Sequence, residues 1–518
     1  MRQSLLRSTV VVSAATLLSR ILGFVRDVML AVWFGAGPAM DAFLVAFKIP
    51  NFLRRLFAEG AFSQAFVPVL AQTRQEEGTE GVRSLVARSL GLLATVLAVL
   101  SIFAVAAAPW VIAVFAPGFA AEDGRAELAA ELLRLTFPYL LFISLVALAS
   151  AVLQTWERFA WPALAPVALN ICLIGFGAWG VYAWERPIMA LAWGVFSAGA
   201  AQLILVALPL HRMGLLAWPQ WRPRDAKVRR ILRLMAPIVF ASSVAQLALL
   251  LDSILASILA VGSVSWLYYA DRLMELPLGV FAIAISTVLL PGLARAHAQQ
   301  NHALAARHLA WAVQWSALIV VPAAIALAVL AEVLVVGLFA YGEFSAVDAH
   351  MTSAALRAYA LGLLGFSGVK VLFPAYSSRQ DTRTPVRIGI IALSVGMLFN
   401  VVAVLWALRN QWEHAHVLLA LGTSVAACLN ATMLWRKLPA GLKASVHGAM
   451  IWRPLVAGAG MGVLLWASLP GSEFWWQTGL WTRVLWLSGL ILVGLLSYAM
   501  LSLLLGLRLH HLRSREAL

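Results

Sequence analysis

The sequence is poor in charge. Only 12% of its 518 residues are Asp, Glu, Lys or Arg, where a soluble chain carries about a quarter. That scarcity excludes a string of water-exposed domains, which at this length also needs polar linkers. Cysteine is nearly missing. Cys172 and Cys428 both fall in apolar stretches, so neither is positioned for a disulfide framework. Strand-like alternation of apolar and polar residues is absent, which argues against a membrane β-barrel. No lysine closes a G-x-x-x-x-G-K-S/T loop, and there is no zinc-type histidine cluster or nucleophile elbow. ATP-driven transport and hydrolysis are therefore poorly supported, and no cofactor is implied.

What is present is hydrocarbon. The chain is 62% hydrophobic, with a mean hydropathy of +0.88. Apolar stretches of about 20 residues, the length of a membrane-crossing helix, recur almost end to end. A helix satisfies its own backbone in lipid, so the expected fold class is an all-α polytopic membrane protein. Fourteen spans are expected, near 10–34, 41–70, 84–116, 129–155, 160–183, 188–210, 230–260, 264–293, 308–339, 351–377, 386–407, 414–436, 450–469 and 480–507. Arg20 and Arg26 interrupt the first stretch, so it reads as a helix and not as a cleaved signal.

Basic residues concentrate on the cytoplasmic side of membrane proteins. With the N-terminus and every second loop inside, that side holds 25 Lys and Arg, and the other side five: Arg125, Arg186, Arg357, Arg409 and Arg483. This bias predicts both termini in the cytoplasm. It also gives most of the net charge of +15 an ordinary cause, without nucleic acid as a partner. Trp475, Trp476, Trp481 and Trp486 are expected to mark the outer interface.

Three matches recur at an offset of 223: Pro68 with Pro291, "LRLTFPYLLFIS" (133–144) with "LRAYALGLLGFS" (356–367), and Pro162 with Pro385. They predict two six-helix lobes, residues 1–210 and 230–437. Residues 211–229 form an interfacial linker that meets anionic lipid, and 438–518 add two helices and a tail. Repeated lobes are the usual frame for alternating access.

Eight basic residues remain inside spans, and six of them sit in the first, second and eighth helices: Arg20, Arg26, Lys48, Arg54, Arg55 and Arg272. Seven-residue spacing keeps side chains near one stripe of a helix. Arg20 is so paired with Asp27, Ser19 with Arg26, and Asp41 with Lys48 and Arg55, with Glu59 a turn further on. Tyr268, Arg272 and Glu275 share a face of the eighth helix, beside Asp271. Charges in spans face a bundle interior or a hydrated cavity. Helix-locking salt bridges are the bland alternative. Arginine prevails over lysine five to one, and its planar fork matches phosphate or carboxylate, which predicts an anionic cargo. Asp252 stands alone in "LLLDSILAS"; it is neutral, paired with an arginine, or bound to a coupling ion.

"SRILGFVRD" (19–27), "FGAGPAMDAFLVAFKIPNFLRRLFAEGAFSQAFVPVLA" (34–71), "GSVSWLYYADRLMELPLGV" (262–280) and "YSSRQDTRTP" (376–385) resemble the MurJ (MviN) family, lipid II flippases of the bacterial inner membrane in the MOP exporter superfamily. The resemblance implies a cargo of lipid II, the undecaprenyl-pyrophosphate-linked peptidoglycan precursor, moved from the inner to the outer leaflet by alternating access. It implies a transporter and not an enzyme, with cell-wall synthesis or division proteins as further partners. The family's cavity arginines match Arg20, Arg26, Arg54 and Arg272, while Asp41, Glu59 and Ser19 also fall at motif positions. The last two helices are expected to hold the polyprenyl tail. Some relatives carry a sodium site; Asp252 and Asp381 are its candidates here, but Leu393 and Met397 offer no oxygen ligand. The runners-up are a flippase for another lipid-linked oligosaccharide and a multidrug exporter of the same superfamily. A division scaffold is a third class, with no reason to keep six intramembrane cations.

Overall fold

A computed structural model describes residues 2–56, 62–120, 124–279 and 283–507. The described residues are helical, with turns and no strand. The chain divides into two compact units, Met1–Ser265 and Trp266–Leu518. This packing boundary lies later than the 210/230 division that the repeat predicts. Sequence recurrence and contact are different criteria, and the helix before residue 265 has its contacts with the first unit.

The first unit contains α1 (Arg2–Phe34), α2 (Pro38–Arg54), α3 (Ser63–Ala106), α4 (Ala108–Phe115), α5 (Arg125–Thr136), α6 (Tyr139–Thr155), α7 (Ala160–Ala183), α8 (Pro187–Arg212), α9 (Ala226–Ile258) and the start of α10 (Ser263–Pro277). Gly78, at φ +64°, breaks α3 into two helices across a kink, where the sequence predicted two spans. α7 lies between α1 and α8, while α2 packs on α5 and α9 on α3. The Thr136 hydroxyl donates to the Ala46 carbonyl at 3.2 Å, joining α5 to α2.

The linker before α9 is pinned to α3. The Gln220 N–H donates to the Ala87 carbonyl at 2.9 Å, and Arg88 pairs with Asp225. Asp225 also caps α9, accepting from the Lys227 and Val228 amides at 3.0 and 3.2 Å. Trp218 and Trp221 point away from the protein and are exposed.

The second unit continues with α11 (Ile283–Ala298), α12 (His302–Val329), α13 (Ala331–Phe339), α14 (Ala346–Ser377), α15 (Arg383–Arg409), α16 (Ala415–Lys437), α17 (Ala440–Lys443), α18 (Ala449–Ala467), α19 (Ser472–Gln477) and α20 (Leu480–Leu504). α14 starts on a capping box: the Ser345 hydroxyl accepts from the Asp348 amide at 3.1 Å, and the Ser345 amide donates back to the Asp348 carboxylate at 3.0 Å. α14 and α16 cross closely, because a Cβ on Gly365 would lie 2.4 Å from the Cys428 nitrogen. Leu309, Leu372, Tyr376 and Leu434 anchor a core shared by α12, α14 and α16, where the Tyr376 hydroxyl donates to the Leu434 carbonyl at 2.6 Å. α18 packs on α12, and α20 on α18 and α13.

Two helix starts recur at the offset of 223. Moved by 223 positions, Ala108–Phe115 falls on 331–338, against Ala331–Phe339. The first residue of α7, Ala160, falls on Arg383, the first residue of α15.

Among the described residues, ten helical stretches are long and apolar enough to cross a membrane. α2 and α10 are too charged to count among them: Pro38–Arg54 carries Asp41, Lys48 and Arg54, and Ser263–Pro277 carries Asp271, Arg272 and Glu275. They belong to the spans expected to be second and eighth.

Candidate functional site

α1 is aimed by one asparagine. Asn170 stands alone in the apolar run of α7 and is buried. Its amide nitrogen donates to the Ser19 carbonyl at 3.0 Å, and its amide oxygen accepts from Arg26 Nη1 at 3.0 Å. Gly23 lies between, close enough that a Cβ would touch the Asn170 amide at 3.6 Å. Arg26 turns its other edge to Asp27, with Nε and Nη2 at 2.9 and 2.6 Å from Oδ1. Asp27 is buried and Arg26 nearly so. A buried carboxylate this close compensates the guanidinium charge and fixes its plane. Ser19 thus contributes its backbone to this face, while Arg20 is exposed.

The stripe expected on α2 splits by environment. Lys48 and Arg55 are exposed, and Arg54 donates from Nε to the Asn51 amide oxygen at 3.2 Å. Asp41 is fully buried and does something else. It accepts from the Gly262 and Ser265 amides at 2.7 and 2.9 Å and from the Ser265 hydroxyl at 2.6 Å. Those amides open α10, so Asp41 places a carboxylate on the positive end of a helix. Arg125 Nη1 stands 3.9 Å behind it, with its guanidinium 4.7 Å above the Phe119 ring. The carboxylate thereby joins the start of α2 to the start of α10 and is charge-balanced from α5.

On α10 the expected face is assembled. Arg272 donates to Glu275 at 2.8 Å and to Asp271 at 3.4 Å, and its guanidinium lies 5.2 Å from the Tyr268 ring. The Arg272 side chain keeps 29% of its surface exposed, enough to reach a further anion. Glu59 lies outside the described residues.

Two residues expected in outer loops are instead buried. Arg125 holds Asp41. Arg483 turns into the second unit, where it donates to the Ala340 carbonyl at 2.9 Å and lies 4.9 Å from the Tyr341 ring. Trp475, expected at an interface, is also buried, edge-on to Phe474. A polar residue at a span's edge reads as a loop residue from sequence; its burial depends on neighbours distant in the chain. Asn170 is the one amide in its span, and that isolation is the signal the sequence offers for it.

The two candidates for a cation site have separate surroundings. Asp252 is half-buried on α9. Asp381 precedes α15 and accepts from the Thr384 amide at 3.0 Å, a bond that holds its carboxyl below the ordinary range. Among the described residues no three His, Cys, Asp or Glu side chains are grouped to hold a metal ion.

Comparison with known proteins places the chain. The family model described as "Lipid II flippase MurJ" matches residues 30–496. A protein of Haemophilus influenzae described as a probable lipid II flippase MurJ is 42% identical, over 97% of this chain and all of its own length. One of Vibrio cholerae with the same description is 42% identical over 98% of each chain. The lipid II flippase MurJ of Burkholderia cenocepacia is 41% identical over 83% of each. Among solved structures, "Lipid II flippase MurJ, inward closed conformation" superposes with a TM-score of 0.77 at 26% identity, over 95% of this chain and 98% of that one. An inward-facing multidrug MATE transporter of the MOP superfamily shares the fold, with a TM-score of 0.66 at 15% identity, over 83% of this chain and 99% of that one. With a family model along nearly its whole length and relatives above two-fifths identity across theirs, the chain belongs to the MurJ family of lipid II flippases.

Proposed function

We propose that the protein moves lipid II from the inner to the outer leaflet of the bacterial inner membrane by alternating access, and that Arg20, Arg26, Arg54 and Arg272 contact the cargo's pyrophosphate. One observation carries the assignment of these residues. Arg20, Arg26, Arg54 and Arg272 are concentrated in three helices, α1, α2 and α10, and at Arg26 and Arg272 they are oriented by carboxylates. Each charge in mid-membrane costs about 2.5–3.5 kcal/mol on insertion scales, so the concentration needs a use. A guanidinium fork matches phosphate oxygens in pairs, whereas an organic cation needs the opposite charge; a multidrug cargo is disfavoured. Asp27 holds Arg26 while no cargo is present. Lys48, Arg55 and Glu59 flank the path, and Asp252 and Asp381 are the candidates for ion coupling.

The reading includes fourteen spans with both termini in the cytoplasm, and a polyprenyl tail held by α18 and α20, whose surfaces are rich in exposed leucine and valine. Cell-wall synthesis or division proteins are the expected protein partners. The deciding experiment is depletion in the source cell followed by labelling of lipid II on the outer leaflet. Loss of labelling, restored by this chain and not by Arg272→Ala, supports the reading. Full labelling during depletion overturns it, and restoration by Arg272→Ala removes Arg272 from the site.

A further inference from the structure

The second unit contains a furrow outside the charged helices. It has a volume of about 400 Å³ and runs along one stripe of α16, through Leu421, Val425, Leu429 and Met433 to Arg436, with Leu361 of α14 as its other wall. Ligand sites have volumes of this order. The close approach of α16 to Gly362 and Gly365 of α14 makes the furrow: the backbones meet, and the larger side chains stand aside. Its polar atoms are turned away. Ser424 donates to the Ala358 carbonyl at 2.8 Å, Thr432 to the Cys428 carbonyl at 2.7 Å, and the Cys428 thiol to the Leu361 carbonyl at 3.7 Å. The walls therefore present carbon, although Leu361 and Val425 are 56% and 40% exposed. In a membrane protein such a surface faces hydrocarbon.

One end is different. Arg436 and the adjacent Lys437 are exposed, and the Lys443 ammonium donates to the Arg436 carbonyl at 3.0 Å while standing 5.7 Å from the Trp435 ring. A tryptophan among basic residues is the signature of a headgroup boundary. From Leu421 to Arg436 the helix rises about 22 Å, more than the roughly 15 Å of hydrocarbon in one leaflet. That length accommodates a single acyl chain, and the basic end suits a phosphate.

We propose that this furrow is a binding site for one anionic glycerophospholipid of the bilayer, its chain along Val425 and Leu429 and its phosphate on Arg436. The site is independent of the cargo reading, because it uses none of the residues assigned to the pyrophosphate.

The test is native mass spectrometry of the delipidated full-length protein with dioleoyl phosphatidylglycerol or dioleoyl phosphatidylcholine. One phosphatidylglycerol should be retained at concentrations where phosphatidylcholine is lost. Arg436→Gln should lower that occupancy about fivefold, the weight of one basic residue at an anionic surface. Val425→Trp, which fills the furrow, should abolish retention; Leu429→Trp, one turn along, serves if that variant does not elute as folded protein. Equal retention of the two lipids, or unchanged phosphatidylglycerol retention in both Arg436→Gln and the folded tryptophan variant, overturns the proposal. So does displacement by an equal concentration of a polyprenyl phosphate, which would assign the furrow to the cargo's tail.

Discussion

A guanidinium inside a bilayer needs partners, and Arg26 has Asp27 on one edge and Asn170 on the other. The pairing of Arg26 with a carboxylate is legible in "SRILGFVRD"; its contact with Asn170 is not, because the two are 144 residues apart. If the pair only locked helices, replacing both members with leucine would be tolerated, since a buried pair is replaceable as a unit. We expect the Arg26→Leu/Asp27→Leu protein to reach normal membrane levels yet fail to support growth, and Arg272→Lys, which keeps charge but loses the fork, to fail likewise. Complementation beside immunoblots reads both, and growth of the double variant would remove Arg26 from the site. Asp41 makes a different prediction. Asp41→Asn turns an amide toward N–H groups that need acceptors, at a cost of about 1–3 kcal/mol. Its thermal unfolding in detergent should therefore fall below wild type, and more than that of Ser265→Ala, which leaves the amide bonds in place. Equal melting of wild type and Asp41→Asn would show that the α2–α10 contact contributes nothing. That Asp41 shares a stripe with Lys48 was readable; that it alone of the three is buried depends on residues 262–265, more than two hundred positions on.

At the scale of elements, ten apolar runs among the described residues became helices long enough to cross a membrane, and two helix starts share the offset of 223. The surprises are contacts made by single polar residues at helix ends. Arg483 falls at the outer edge of the last apolar run, where a basic residue reads as water-facing, yet it satisfies the carbonyl ends of α13 from α20. Arg483→Met keeps the bulk and removes the donors, leaving those carbonyls short of a partner. A loss of about 1–3 kcal/mol follows, with α20 the first helix to loosen. Hydrogen exchange should show faster exchange in α20 than in α16; uniform protection would count against this clamp. α18 is held differently, by close approach: a Cβ on Gly462 would lie 2.7 Å from Ile325 Cγ2 on α12.

For the whole molecule, charge distribution predicts orientation more directly than packing does. Reporter fusions after residues 225 and 440 should read cytoplasmic and those after 122 and 345 external; a reversed reading at 225 would break the fourteen-span scheme. Membrane placement and helical class were legible because composition alone decides them. The packing boundary at 265 was not, because it depends on which neighbours α9 meets. The charges of α1 also bear on how the protein is made. Synthesis starts at the N-terminus, so α1 and α2 leave the ribosome before any partner exists. Arg20, Arg26 and Asp27 must enter the bilayer before Asn170 has been translated. α1 thus carries its charges into lipid before the asparagine that orients Arg26 exists, and its stable integration waits for α7. Fused singly to a glycosylation reporter for insertion, α1 should integrate less completely than α7, and adding residues 35–183 downstream should rescue it. Complete integration of α1 alone would show that its charges impose no order on assembly.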